Sequence, residues 1–275
     1  MEAVQIVNEN VEPILKWAGG KRQLLDELLP LVPEYKGKYI EPFMGGGAMF
    51  FALSPEKAIL SDCNEELIAL YKTVSEQPDQ VIKELKKYKN TEKDYYRIRS
   101  LDWKNLSEVE AAARMIFLNK TGFNGLYRVN RQGGFNVPYG KNERTQFCNE
   151  EQILRAAEII KGKKILCGDY KKILKKYAEP GDFIFLDPPY FKMSGRETFL
   201  RYTSKQFNEL DQEELAEIVN DLYDMGCEVM LTNSNHPRIH DLYSRFEIKI
   251  VQVRRSVNCK GDGRKGEDTV IIALH

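Results

Sequence analysis

The chain has 275 residues, 42% of them apolar and 30% charged, with 13 Phe and 14 Tyr. That is enough to bury a sizeable core, and it excludes disorder as the main state. Lys+Arg and Asp+Glu balance at 41 each, yet the charges segregate: residues 114–148 and 249–266 each carry six basic residues against one acidic, a net +5. Such stretches suit a phosphate backbone, although solvated basic loops would give the same count. No apolar run approaches the roughly 20 residues of a membrane span. The opening MEAVQIVNENVEP lacks the basic and apolar segments of a secretory signal. The five cysteines (63, 148, 167, 227, 259) never form a C-x-x-C pair, which predicts reduced thiols in a cytoplasmic protein without a zinc site.

In chain order, short β-rich runs bounded by turn residues fall at 38–43, 58–62, 164–169, 182–187, 228–233, 246–253 and 269–274. Several are continuously apolar, as strands covered on both faces require. Amphipathic helical patterns lie between them at 64–76, 151–161 and 211–225. The alternation predicts an α/β fold with a largely parallel sheet and an antiparallel C-terminal edge. Residues 71–160 show helices and loops without a strand series. The expected division is therefore an α/β unit of residues 1–70 and 161–275, with 71–160 as a mostly helical insertion.

Three motifs carry chemistry. Glu41-Pro42-Phe43-Met44-Gly45-Gly46-Gly47 ends a strand in a glycine turn, where backbone can approach a ligand closely. The spacing is neither the G-x-G-x-x-G of dinucleotide sites nor the G-K-[ST] of phosphate loops. About 20 residues on, Asp62 ends the next strand, placed either to bind ribose hydroxyls or to cap the following helix. Finally Phe183-Ile184-Phe185-Leu186-Asp187-Pro188-Pro189-Tyr190 delivers a carboxylate, two prolines and a flat ring at the end of a buried strand. A carboxylate, a rigidly aimed carbonyl and a stacking ring suit a planar heterocycle with an exocyclic amino group.

Asp187-Pro188-Pro189-Tyr190 resembles the catalytic D-P-P-Y of amino-group DNA methyltransferases, and the F-x-G-x-G at Phe43–Gly47 resembles their S-adenosyl-L-methionine loop. Two further stretches are similar to the Dam family of N6-adenine DNA methyltransferases: P-I-L-K-W-A-G-G-K at 13–21, and N-K-T-G-F-N-G-L-Y-R-V-N at 119–130 continuing to F-N-V-P-Y-G at 135–140. Their order, cofactor loop then recognition insertion then D-P-P-Y, matches one group of that family. The resemblance implies a Rossmann-like methyltransferase sheet with an inserted DNA-recognition domain. It implies catalysis by Asp187, Pro188, Pro189 and Tyr190 on a flipped-out base. Cofactor contacts would come from Trp17, Lys21, Glu41, Phe43, Gly45, Gly47, Asp62, Asp169 and Asp187. DNA contacts would come from Lys16, Asn124, Arg128, Asn130, Asn136 and Pro138, with Arg128 reading a base edge. The chain departs from the family at Asn142, where many members carry an aromatic. The expected partner is double-stranded DNA containing GATC, without metal or membrane. A monomer acting on one duplex site is the default expectation, and the resemblance further implies a bacterial cytoplasm, chromosomal or phage-encoded, with a cognate restriction endonuclease as a candidate partner.

Rival readings each carry a discriminating feature. An RNA amino-methyltransferase would lack the 119–130 stretch, and a cytosine-N4 enzyme would usually show S-P-P-Y. A non-catalytic DNA-binding module would not need D-P-P-Y and the cofactor loop together. Cytosine-C5 chemistry needs a nucleophilic cysteine, usually after proline, and none of the five follows one. The three histidines (236, 240, 275) stand in neither metal-ligand nor hydrolase spacing.

Overall fold

A computed structural model describes residues 12–17, 21–130, 132–191, 207–254 and 265–275. Among them, seven strands form one sheet: β1 (Tyr39–Glu41), β2 (Ala58–Asp62), β3 (Lys164–Cys167), β4 (Phe183–Leu186), β5 (Glu228–Ser234), β6 (Glu247–Arg254) and β7 (Lys265–Ala273). Their spatial order is β3-β2-β1-β4-β5-β7-β6. The first five run parallel, and β7 lies antiparallel between β5 and β6. This is the Rossmann-like α/β methyltransferase arrangement expected from the sequence.

The helices are α1 (Leu25–Leu28), α2 (Ala48–Leu53), α3 (Glu65–Glu76), α4 (Pro78–Leu85), α5 (Glu92–Arg99), α6 (Glu108–Thr121), α7 (Glu150–Ile160), α8 (Tyr170–Tyr177), α9 (Glu209–Asp224) and α10 (Pro237–Leu242). Six of the ten described helices start at a side-chain oxygen that accepts a backbone N–H. Asn64 accepts the Leu67 N–H to begin α3, while Ser107 with Glu110 and Asn208 with Asp211 form reciprocal capping boxes on α6 and α9.

Alternation along the strands separates two apolar layers. Tyr39, Phe183, Phe185 and Met230 face a core shared with α2, α3, α4, α6 and α7. Their neighbours Ile40, Ile184, Leu186 and Leu231 face α8, α9 and α10. A sheet buried on both faces needs both members of each alternating pair to be apolar, hence the unbroken FIFL of β4. Within 71–160 the described residues form helices and a long loop whose only strand-like pairings are Gly122 with Tyr139 and Val129 with Phe135. Helix α3 runs through residue 70 unbroken, and one core continues from Tyr39 and Phe183 into Val81, Tyr95 and Phe117.

One residue of the first basic stretch is not on the surface. Arg114, 3% exposed, sits in mid-α6 with its guanidinium 2.7 Å from Glu66 of α3 and bonded to the carbonyls of Ile98 and Arg99. Its charge is neutralised inside the protein, so it adds nothing to a phosphate-binding face. Arg131 and residues 255–264 of the second stretch lie outside the described residues, as do Ala18–Gly20 of the N-terminal motif. Cys63, Cys148, Cys167 and Cys227 are free thiols, and Cys259 lies outside the described residues. No described helix is long and apolar enough to cross a membrane, and no described cluster of His, Cys, Asp and Glu could hold a metal.

Candidate active site and nucleic-acid interface

Strand β1 pairs with β2 on one side and β4 on the other. Their connections therefore leave in opposite directions and open a crevice at the carboxyl ends. The glycine turn leaves β1 and Asp187 leaves β4, so the two strongest sequence motifs emerge side by side.

The glycine turn is shaped by backbone no other residue adopts cheaply. Gly45 and Gly47 have φ of +48° and +68°, and a Cβ on Gly45 would lie 2.7 Å from the Trp17 ring. Three bonds fasten the turn: Met44 N–H to the Ser61 carbonyl at 2.9 Å, Gly45 N–H to Asp62 Oδ2 at 3.0 Å, and the Tyr71 hydroxyl to the Gly46 carbonyl at 3.0 Å. Asp62 Oδ1 accepts the Asn64 N–H at 2.9 Å. Asn64 rather than Asp62 is the cap of α3, and Asp62 ties the turn to that helix start. Burial raises the Asp62 carboxyl against these hydrogen bonds. Phe43 packs on Tyr170 at 4.8 Å. Glu41, 2% exposed, accepts the Tyr39 hydroxyl at 2.8 Å. Burial pushes its carboxyl up to about 8 despite that bond, with the Asp187 and Asp62 charges adding. Asp169, exposed at the end of β3, caps α8 by accepting the Lys171 N–H at 2.9 Å.

At D-P-P-Y, Asp187 Oδ1 receives the Lys21 ammonium at 2.6 Å and the Thr232 hydroxyl at 2.8 Å. Lys21 is buried, and its Nζ lies 4.5 Å from the Tyr190 ring centroid. Burial works against the Lys21 charge, but Asp187 and Tyr190 outweigh it and hold the ammonium above the ordinary lysine value. The backbone beyond is held by a polar set that the motifs did not reveal. Gln212 donates to the Pro189 carbonyl, Asn233 donates to Gln212 and accepts the Phe191 N–H, and Ser234 donates to the Phe191 carbonyl. Its one sequence signal was the polar ending Thr232-Asn233-Ser234 of β5, whose Leu231 is in register with Leu186.

The described residues of the 122–140 loop, where the resemblance puts DNA recognition, fold back on themselves: Phe123 N–H meets the Pro138 carbonyl at 2.9 Å and Asn136 N–H the Arg128 carbonyl at 3.0 Å. Arg128 donates from Nε to Asn136 Oδ1 at 2.7 Å and from its terminal nitrogen to the Asn136 carbonyl at 3.1 Å. Lys16 packs along Gly125, where a Cβ would come within 2.5 Å of its Cδ. Lys16, Asn124, Arg128, Asn136 and Pro138 are thus gathered on one loop assembly, and Asn124 and Pro138 are exposed. Asn130, also exposed, has a turn-forming task, its Oδ1 accepting the N–H groups of Gln132 and Gly134. Beside Asn124, Phe123 is 49% exposed, a large apolar ring on the same loop that the motif reading passed over.

The D12 class N6 adenine-specific DNA methyltransferase family model matches residues 17–257. A type II methyltransferase of Lactococcus lactis subsp. cremoris is 39% identical over 283 aligned residues, covering 100% of this chain and 99% of the relative. One from Methanocaldococcus jannaschii is 41% identical, covering 93% of this chain and 96% of the relative. A DNA adenine methylase of Escherichia coli (strain K12) is 32% identical, covering 95% and 94% respectively.

Proposed function

The chain belongs to the D12 class of N6 adenine-specific DNA methyltransferases, and from that premise we propose that it transfers a methyl group from S-adenosyl-L-methionine to N6 of adenine in duplex DNA, with GATC as the target. The residues present fit that cofactor. Trp17 offers a ring beside the glycine turn, Asp62 retains acceptor capacity for ribose hydroxyls, and the buried Ser61 hydroxyl has no partner among the described residues. Glu41 supplies a latent negative charge for a cationic ligand. Phe43 and Asp169 flank the same strand ends. When bound, the cofactor supplies an electrophilic methyl on a sulfonium.

The observation that carries the reading is the setting of Asp187. Its Oδ1 is engaged by Lys21 and Thr232, which leaves Oδ2 for an incoming amino group. Adenine N6 is a poor nucleophile because its lone pair is delocalised into the ring. Hydrogen bonds from its two N–H groups to Asp187 and the Pro188 carbonyl favour a more tetrahedral nitrogen, whose lone pair can face the methyl. The protein contributes placement and fixed charge rather than a covalent intermediate, and the proton that N6 gives up as it gains the methyl passes by way of the Asp187 carboxylate to solvent. The base must leave the duplex to reach this site, where Tyr190 stacks on it. Arg128 reads a guanine edge and the surrounding lysines meet phosphates.

Relatives named type II methyltransferases make a restriction endonuclease of matching specificity the candidate partner. The enzyme would act as a monomer in a bacterial cytoplasm. The test is incubation of unmethylated duplex DNA with labelled cofactor, followed by nucleoside analysis and mapping of modified sites. N6-methyladenine confined to GATC is expected. N4-methylcytosine, or transfer to RNA alone, would overturn the reaction assignment, and modified adenines at another sequence would overturn only the target.

A further inference from the structure

The segment Lys16–Trp17 is fastened to the recognition loop through the Asn119 side chain and through a ring stack. Asn119, fully buried near the end of α6, accepts the Lys16 N–H at 2.8 Å, donates to the Lys16 carbonyl at 2.7 Å, and donates to the Gly125 carbonyl at 3.1 Å. One amide side chain thereby spans both segments. One residue along, the Trp17 ring stacks on Tyr127 with centroids 5.0 Å apart and planes inclined by 24°. The Tyr127 hydroxyl donates to Glu66 Oε2 at 3.0 Å, in the first turn of α3 whose start is tied through Asn64 to Asp62. The other oxygen of Glu66 takes Arg114. Tyr127 is therefore braced between Trp17 at the glycine turn and the helix that follows Asp62, and its chain neighbour is Arg128.

We propose that Tyr127 is a positioning residue coupling cofactor occupancy to target recognition: whatever fixes Trp17 and Asp62 fixes Tyr127, and with it the backbone that presents Arg128. The proposal rests on the assignment of S-adenosyl-L-methionine and duplex DNA as ligands. Coupling between two ligands through a shared unit is reciprocal, so target DNA must tighten the cofactor by the factor with which the cofactor tightens target DNA. An exposed phosphate contact would not show this sequence dependence.

The test uses S-adenosylhomocysteine as a non-reacting probe, titrated calorimetrically without DNA, with a GATC duplex and with a duplex lacking GATC. If mapping gives another site, that duplex replaces GATC. In the wild type the target duplex should tighten the probe about five-fold or more, the lower end of common coupling factors. Tyr127→Leu, which removes both the stack and the hydroxyl, should bring that ratio close to one while changing affinity without DNA far less. Tyr127→Phe, which keeps the stack and loses the bond to Glu66, should give an intermediate ratio. A wild-type ratio retained in Tyr127→Leu overturns the proposal, as does a wild type with no coupling on DNA that it methylates. Should Tyr127→Leu fail to fold, a full wild-type ratio in Tyr127→Phe overturns it. A wild type that binds no probe at all would overturn the cofactor assignment and this inference together.

Discussion

Asp187 is held by one buried cation and one hydroxyl, and removing its carboxylate should abolish methyl transfer. No second carboxylate in D-P-P-Y can replace it, so Asp187→Ala is expected to slow turnover by at least about 10²–10³-fold. Its melt should remain cooperative but lower, because the buried Lys21 loses its counter-charge; near-wild-type turnover would dispose of the mechanism. Asp62 fastens the glycine turn and is also the proposed acceptor for the cofactor ribose. Asp62→Ala should weaken cofactor binding by about 1.5–3 kcal/mol, the range for hydrogen bonds to a charged group. Unchanged affinity by calorimetry would leave it only the fastening role. Glu41 gives a pH signature. Its folded-state carboxyl is raised to about 8 from an ordinary 4.5, chiefly by burial. Between those values the unfolded chain has released this proton and the folded protein keeps it. Its contribution to stability is therefore fully present below about 4.5 and is lost as pH rises toward 8. Glu41→Gln, neutral throughout, should melt progressively higher than wild type as pH increases from 5 to 8.5. A constant difference across that range would show that Glu41 is already ionised.

At the level of elements, the recognition loop separates two kinds of basic residue. Arg128 is held in a planar pairing with Asn136, whereas Lys141 is an exposed side chain. Arg128→Ala should cost about 1–3 kcal/mol on the target site and much less on other DNA. Lys141→Ala should weaken all duplexes alike and lower the salt slope by about one unit. Equal losses on every sequence for Arg128→Ala would make it a phosphate clamp, and readout would then fall to Asn136 and Pro138. The strands and the helices α3, α7 and α9 were legible because each carries local instruction: the unbroken FIFL of β4 and the amphipathic spacing over 64–76, 151–161 and 211–225. Long-range placement was not. Nothing local tells β7 to enter between β5 and β6, or Asn119 to reach back 103 residues to Lys16. Arg114 shows the converse error, since a basic residue counted from sequence as surface charge became half of a buried pair. Thr232, Asn233 and Gln212 escaped notice because a polar strand end has no meaning until its neighbouring strand is known.

Across the whole molecule, the Arg114–Glu66 pair joins α6 to α3 inside a core that is continuous from the sheet into the helices of 71–160. Both side chains are nearly inaccessible, at 3% and 6%. Replacing the pair by apolar groups could be close to neutral, whereas removing one partner leaves an uncompensated buried charge. Arg114→Met should therefore destabilise the protein by about 3–5 kcal/mol, and the combination with Glu66→Gln should recover much of that loss. The pH dependence has a definite sign. Burial already raises the Glu66 carboxyl, while Arg114 and the Tyr127 hydroxyl pull it back down. Without the arginine it rises further, so the folded variant retains a proton that the unfolded chain gives up above the ordinary glutamate range. The deficit of Arg114→Met relative to wild type should thus be smallest near pH 4.5 and grow toward pH 8. Urea unfolding at several pH values, followed by both near- and far-ultraviolet circular dichroism, measures this directly. The continuous core also predicts that the two signals coincide in one transition. Separate transitions would show that the 71–160 segment unfolds on its own, and a deficit independent of pH would show that Glu66 keeps its charge without its partner.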